Sequence, residues 1–246
     1  MRTELITQWK KDEAAVFQGW DFSYIKDRCL GEEPTWDYLA LARQFINNSA
    51  SVLDVATGGG EVFSSLAPFL GKTVAIEGYR PNVAVARKRL APLGVQVLES
   101  KESPLPFEAN TFDLVLNRHG GLDVAETHRV LQKNGEFLTQ QVSGGNLIDL
   151  MDAFNAKEKW PDNTLKIVRQ KMLALGFQIE HAEQWQGKVK YRDIGAVVYV
   201  LKAIPWLVDN FTVDSHLDSL LKLQEKLEDN GNLEFTSKLF LISARK

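Results

Sequence analysis

Two periodicities alternate along the chain. Short apolar runs at 51–56, 72–77, 95–98, 112–116 and 136–142 are bounded by glycine, proline or charged residues and read as strands. Between them, 61–70, 82–90 and 124–131 carry apolar residues at helical spacing, with Pro81 suited to a first helical turn, Asp123 and Glu126 as an N-terminal cap, and Gly135 as the stop of the third. Strand and helix in alternation predict a parallel sheet covered on both faces, and 51–56 is apolar enough to be its central strand. Further on, Leu165, Val168, Met172 and Leu175 share one face of a helix over 162–175 that Gly176 ends, and 177–184 alternates as a strand with His181 beside Ile179. The flanks read differently. Segments 4–17 and 36–46 precede the sheet with helical spacing. A long insert over 187–231 holds an apolar helix at 192–203, stopped by Pro205, and an amphipathic one at 214–230.

One stretch points to chemistry. Residues 52–61 read VLDVATGGGE: an apolar run containing Asp54, then Thr57 and the glycines Gly58, Gly59 and Gly60. Glycine lacks a Cβ, so backbone there can turn with positive φ and approach a ligand closely. A second run, KTVAIE, ends in Glu77, which lies 77 − 58 = 19 residues past Gly58, close to the ~20 expected of an acid that takes a ribose hydroxyl pair. A nicotinamide-dependent oxidoreductase fits these facts nearly as well as any other nucleotide enzyme. Two details count against it. The third glycine of G-x-G-x-x-G would fall at Phe63, and a carboxylate at Asp54 suits a ligand carrying an ammonium group better than a pyrophosphate.

Four motifs in order, VLDVATGGGE, VAIEGYRPNVAVARKRL, SPLPFEANTFDLVLNRH and THRVLQKNGEFLTQQV, resemble the class I S-adenosylmethionine-dependent methyltransferases, and among them the group with a type-11 methyltransferase domain. The likeness covers roughly 51–143, and DIGA with LKAIPW in the insert extends it. It implies a Rossmann-like α/β fold: a seven-stranded, mostly parallel sheet whose last, antiparallel strand is 233–244, with helical caps. It implies S-adenosyl-L-methionine as cofactor and S-adenosyl-L-homocysteine as product. It also implies site residues: Asp54 with the backbone of Thr57, Gly58, Gly59 and Gly60 at the methionine part, Glu77 at the ribose hydroxyls, and Gly78 and Tyr79 beside the adenine. Where the group usually has an acid before LPF, this chain has Lys101, so Glu102 or a backbone group is expected to take the adenine contact. Asn117, Arg118 and His119 end the strand at which acceptors meet the cofactor.

That strand end reads NRHGG rather than Asp/Asn-Pro-Pro-aromatic, which argues against nucleobase amines as acceptors. His119 is placed to serve as a general base on a hydroxyl, and Arg118 to orient an anionic acceptor or tie the loop. Tyr199 and Trp206 are expected nearest the acceptor. All six tryptophans (9, 20, 36, 160, 185 and 206) lie in the flanking segments and none in the nucleotide core; bulky aromatics on capping elements suit an apolar pocket.

Composition sets the remaining bounds. The 246 residues are 44% hydrophobic and 25% charged, enough for one large domain with a sizeable core, divided here into an N-terminal cap (1–48), a cofactor core (51–186), an insert (187–231) and a last strand (233–246). A net charge of −3 gives no general attraction to nucleic acid or anionic membrane. The single cysteine, Cys29, excludes an intrachain disulfide, and no apolar run approaches the ~20 residues of a membrane span. The expectation is a cytoplasmic enzyme, monomer or homodimer, that moves a methyl group to a small, partly apolar acceptor, oxygen first, by direct in-line displacement. A protein of the same fold that binds the cofactor without catalysis is the alternative.

Overall fold

Eight strands form one sheet in the computed structural model, which describes residues 2–246. In chain order they are β1 (Cys29–Gly31), β2 (Ser51–Val55), β3 (Lys72–Glu77), β4 (Gln96–Glu99), β5 (Phe112–Arg118), β6 (Leu131–Val142), β7 (Gln178–Tyr191) and β8 (Leu233–Arg245). Across the sheet the order is β1-β7-β8-β6-β5-β2-β3-β4. Strands β4, β3, β2, β5 and β6 are parallel to one another, while β8 runs antiparallel to β6 and to β7. Every residue of β2 is buried, as its unbroken apolar run requires of a central strand.

The helices are α1 (Arg2–Glu13), α2 (Tyr38–Asn47), α3 (Glu61–Ser64), α4 (Arg80–Leu90), α5 (Val124–Val130), α6 (Ile148–Asp152), α7 (Leu165–Ala174), α8 (Ile194–Ala203) and α9 (Leu217–Asn230). Alternation along the strands divides the interior. Leu53, Val55, Ile76, Val115 and Phe137 face one side, with α5 and α7. Val52, Ala75, Leu114, Leu116 and Leu138 face the other, with α2 and α4. A third core lies beyond the sheet, where α1, α6, α8 and α9 pack together over the far ends of β7 and β8.

The sheet departs from expectation at its antiparallel edge. Strand β7 does not stop at 184 but runs to Tyr191, paired with β8 from Gln178↔Arg245 to Tyr191↔Leu233. Its extension recruits an eighth strand, β1, paired Cys29↔Tyr191. The insert therefore begins only after β7. Helix α5 passes directly into β6 at Leu131, and Gly135 lies inside that strand next to Asn134 at φ 65°, where pairing with β5 shifts register between Phe112 and Leu114. Helix α3 covers four residues rather than the span to 70, in keeping with the helix-breaking Pro68 that follows.

The two caps are joined by one charged cluster. Asp193 caps α8 by accepting the Ala196 N–H, and Arg28 donates to it through Nε (2.8 Å) and Nη2 (2.6 Å). The third arm of the guanidinium, Nη1, reaches Asp12 of α1 at 2.9 Å, and Tyr24 donates its hydroxyl to the same carboxylate at 3.0 Å. The Asp12 side chain is completely buried, and Gly195 passes so close that a Cβ there would strike it. Removing one partner of a buried pair leaves an uncompensated charge. Arg28→Met should therefore lower the unfolding free energy by about 3 kcal/mol, read from urea denaturation; a loss below about 1 kcal/mol, the value of an exposed pair, would show that the cluster does not hold the caps together.

Candidate active site

The strand order reverses at β2, which has β3 and β4 on one side and β5 on the other. The crevice between the carboxyl ends of β2 and β5 is the place where an open parallel sheet takes a ligand. Both strands end in strained backbone: Ala56 and His119 are non-glycine residues at φ 60° and 59°. Such conformations cost on the order of 1–3 kcal/mol each and persist where surrounding structure enforces them. Gly120 supplies that enforcement, since its backbone packs on Ala56 too closely to admit a Cβ.

The glycine turn follows Ala56. Thr57 donates its N–H to Ile76 O and accepts the Gly60 N–H on its own carbonyl, both at 3.0 Å. Gly58 and Gly60 have φ of +63° and +78°, and a Cβ on Gly60 would lie 2.9 Å from Leu90 Cγ. Glu77, at the end of β3, closes the turn from below. Its Oε2 accepts the Gly58 N–H and its Oε1 the Tyr79 N–H, each at 2.7 Å. Each oxygen keeps acceptor capacity after these bonds. Burial raises the Glu77 pKa, the backbone donors oppose the rise, and the charge of Glu102 adds to it. Glu102 therefore shares the site with Glu77, and it packs beside Gly121 of the loop after β5. Tyr79 is 65% exposed at the head of α4, so its ring borders the site without being held in it.

Asp54 sits two residues after Val52 and projects to the α2 side of the sheet. It is almost wholly buried, and burial pushes its carboxyl up to about 7; the Thr57 hydroxyl lowers it, Glu77 raises it and Arg118 lowers it. The Thr57 hydroxyl is close enough to favour the ionised carboxylate, yet makes no well-formed hydrogen bond, and its Oγ1 is sealed from solvent. An orphaned hydroxyl, an acid short of a counter-ion and a glycine cradle together fit the amino-acid end of a nucleoside sulfonium. Among the described residues no cluster of side chains could hold a metal ion.

At the end of β5 the sequence expectations need correction. The Asn117 amide is tied to the protein: Nδ2 donates to Gly121 O at 3.0 Å and Oδ1 accepts from Gln141 Nε2, which also donates to Thr139 Oγ1 at 2.8 Å. Asn117 thus shapes the loop, and its cofactor role is left to the hydrogen-bonding capacity beyond these bonds. His119 is not built as a base. Trp36 Nε1 donates to Gln140 Oε1 at 2.7 Å, which fixes that amide so that Gln140 Nε2 donates to His119 Nε2 at 2.9 Å. The imidazole lone pair is thus occupied, and burial, aided by the Arg118 charge, pushes its pKa down to about 3. Arg118 projects to the same side as Asp54, its guanidinium 5.8 Å from the centroid of the buried Tyr38 ring.

The N-terminal segment roofs the turn. Trp20 Cβ is 3.6 Å from where a Cβ on Gly58 would stand, and Glu61 fills the space between Gly19 and Gly59 while pairing with Arg89 at 3.2 Å. Trp20 stacks on Trp206 with centroids 6.0 Å apart and planes within 5°, and Trp160 meets Trp206 edge-on. Trp206 thus stands at the mouth of the crevice. Tyr199 does not: it is 2% exposed among Phe17, Phe22 and Tyr24, part of the cap interior. Gln140 and Gln141, at the end of a strand, are residues that the sequence places within reach of a substrate; it does not single out Trp20, Trp36 or Tyr38 as site residues, and the signal for them was the aromatic density of the N-terminal segment.

A raised carboxylate pKa is a stability statement. The folded chain holds a proton on Asp54 up to about 7, whereas the unfolded chain loses it near 4. Stability from this group is full below that lower value and declines as pH rises to 7, and Glu77 shifts in the same direction. Asp54→Asn removes its share of the decline. In thermal melts across pH 5 to 8 the variant should melt at least about 2 °C above the parent at the alkaline end and show a flatter profile; an unchanged profile would mean that Asp54 is ionised without cost.

A family profile described as "Methyltransferase domain" matches residues 53–139, the span from β2 to β6 that contains the turn, Glu77 and the crevice. Two curated relatives are both described as "Ubiquinone/menaquinone biosynthesis C-methyltransferase UbiE". That of Citrifermentans bemidjiense is 29% identical over 144 residues, 51% of this chain, and that of Hahella chejuensis 28% identical over 128 residues, 46% of this chain. The chain covers 60% and 51% of their respective lengths. Among solved structures, BH2331 from Bacillus halodurans C-125 is 24% identical, aligns over 85% of this chain and 98% of that one, and has a TM-score of 0.60, a likeness of fold. The matched domain lies on the strands and turn that build the crevice, and over residues 53–139 the chain is similar to the methyltransferase domain family.

Proposed function

We propose that the chain binds S-adenosyl-L-methionine in the crevice and transfers its methyl group to a small, partly apolar acceptor, releasing S-adenosyl-L-homocysteine. The observation that carries the reading is Glu77, a buried acid gripped by two backbone N–H groups with acceptor capacity to spare for two ribose hydroxyls. Around it Thr57, Gly58, Gly59 and Gly60 give the close approach, Asp54 meets the ammonium, and Glu102 with Gly78 and Tyr79 borders the adenine. When bound, the cofactor supplies a methyl group already activated on a sulfonium, so much of the rate can come from alignment. The chain's own contributions are to fix the loop after β5 through Asn117 and Gln141, and to exclude water with the stacked Trp20 and Trp206. The proposal includes a small-molecule partner rather than nucleic acid, in line with the net charge of −3, and a cytoplasmic setting. Among the described residues no helix is long and apolar enough to cross a membrane.

The acceptor atom is where structure changes the reading. Oxygen is the acceptor expected first from the sequence, and the Trp36–Gln140–His119 chain leaves His119 unsuited to deprotonate a hydroxyl. The curated relatives are named C-methyltransferases. We therefore favour an electron-rich carbon, whose proton departs after the new bond forms, with a hydroxyl acceptor as the second reading.

Two measurements test this. In calorimetric titration, S-adenosyl-L-methionine and S-adenosyl-L-homocysteine should bind, and Glu77→Ala should weaken both at least about tenfold, or ~1.4 kcal/mol; tight binding of NADH with neither sulfur ligand bound would replace the reading by the nicotinamide one. Labelled methyl transfer to a panel of phenols, quinols and enols should then give products whose label is not released as methyl iodide by hydriodic acid, as a carbon-bound methyl is not. Label released in this way would establish oxygen, and binding without transfer to any acceptor would favour the non-catalytic alternative.

A further inference from the structure

Arg118 is unusual among the arginines that line the interior. A guanidinium carries five N–H donors in a rigid fork; Arg28 makes three hydrogen bonds with it, to Asp193 and Asp12, and Arg129 makes four, to Glu126 and two carbonyls. Arg118 makes no hydrogen bond and no ion pair among the described residues; its one contact of note is the ring of Tyr38. It is nevertheless largely buried, and that burial lowers its pKa. Glu33, Tyr38 and Asp54 attract it without bonding to it.

Asp54 is its mirror image: a buried acid that makes no ion pair. The two side chains project from the same side of adjacent strands. Asp54 is opposite Leu116, the next pair is Val55↔Asn117, and Arg118 comes one residue later, at the level of the glycine turn. Two opposite charges in reach of each other's field therefore stand unpaired across one crevice. Sealed polar side-chain atoms without a partner are confined, among the described residues, to Thr57 Oγ1 and Glu136 Oε2. The polar atoms of Asp54 and Arg118 accordingly still reach solvent, and a ligand can reach them.

A ligand that satisfies both must carry a cation and an anion a few ångströms apart. We infer that Arg118 is a cofactor residue, the partner of the α-carboxylate of the methionyl group, while Asp54 takes the α-ammonium and Thr57 Oγ1 lies beside it. The inference rests on the cofactor reading above and moves Arg118 from the acceptor to the cofactor. An anionic acceptor would be met from the side of the crevice where Trp206 stands, whereas Arg118 sits on the face that carries Asp54 and α2. The zwitterion also explains why the pair does not collapse into a direct salt bridge: Arg118 is held by stacking on Tyr38, and Asp54 by its place inside a fully buried strand.

The test uses two ligands that differ only in the amino-acid part. S-adenosyl-L-homocysteine carries the zwitterion; 5′-methylthioadenosine has the same nucleoside and sulfur without it. Both are titrated calorimetrically into the full chain, Arg118→Met, Arg118→Lys and Glu77→Ala, with thermal melts to verify folding. Arg118→Met should weaken S-adenosyl-L-homocysteine about tenfold or more and change 5′-methylthioadenosine less than about twofold, and Arg118→Lys should recover part of the loss. Glu77→Ala should weaken the two ligands equally. Undiminished homocysteine binding in Arg118→Met overturns the assignment and returns Arg118 to the acceptor or the loop. An equal loss for both ligands overturns it as well, since the effect would then not lie at the carboxylate. If neither ligand binds the parent chain, the cofactor reading itself falls and takes this inference with it.

Discussion

The two hydrogen bonds that Glu77 accepts hold the architecture of the crevice. One comes from the turn that leaves β2 and the other from the turn that leaves β3, so a single carboxylate ties together the exits of adjacent parallel strands. Without that tie the glycine turn has few constraints of its own, because glycine opens conformations as readily as it permits them. With it, Gly58 is fixed under Trp20, Gly60 against Leu90, and Thr57 with its hydroxyl beside Asp54. The carboxylate is part of the scaffold before any ribose arrives, so ordering costs are met in folding rather than in binding.

Much of this site opposes stability. Asp54 is buried without a counter-ion, burial raises the Glu77 pKa, the Arg118 side chain makes no hydrogen bond, the Thr57 hydroxyl has no partner, and Ala56 and His119 occupy left-handed backbone. Each is the sort of feature that a sequence selected for stability alone would remove. They occur together at the ends of β2, β3 and β5, while two large apolar clusters fill the two faces of the sheet behind them. That clustering separates a binding site from a merely irregular loop.

The central sheet was legible because its signals are local. A strand buried on both faces is a continuous apolar run, and the turn after it declares itself in glycine; hence β2 and β3 and the turn between them emerge from the sequence. The edge was less so. Strand β7 has partly exposed faces, so its continuation through Gln186, Gly187 and Lys188 looks like loop, and only pairing with β8 makes it a strand. The side chains at the end of β5 were legible as a group but not in their roles. Whether His119 is a base depends on Gln140, 21 residues away, and on Trp36, more than 80 residues away. Three-dimensional hydrogen-bond direction has no one-dimensional pattern. Tyr199 shows the same limit: an aromatic on an apolar helix can wall a pocket or fill a cap, and its neighbours Phe17, Phe22 and Tyr24 decide for the cap.

The third core gives the caps a physical independence that the site exploits. Helices α1, α6, α8 and α9 bury one another and the Arg28 cluster pins α1 to the head of α8, so this layer can be held firmly without help from the crevice. Its contact with the cofactor turn is made instead by a few residues: Gly19, Trp20 and the Trp206 that stacks on Trp20. The link is also the weaker one: an aromatic stack is worth about 0.5–1.5 kcal/mol, far less than disrupting the Asp12–Arg28–Asp193 cluster would require. The position of Trp206 just past α8 follows from this division: the helix stays in the cap interior while the residue after it reaches out to Trp20 and Trp160.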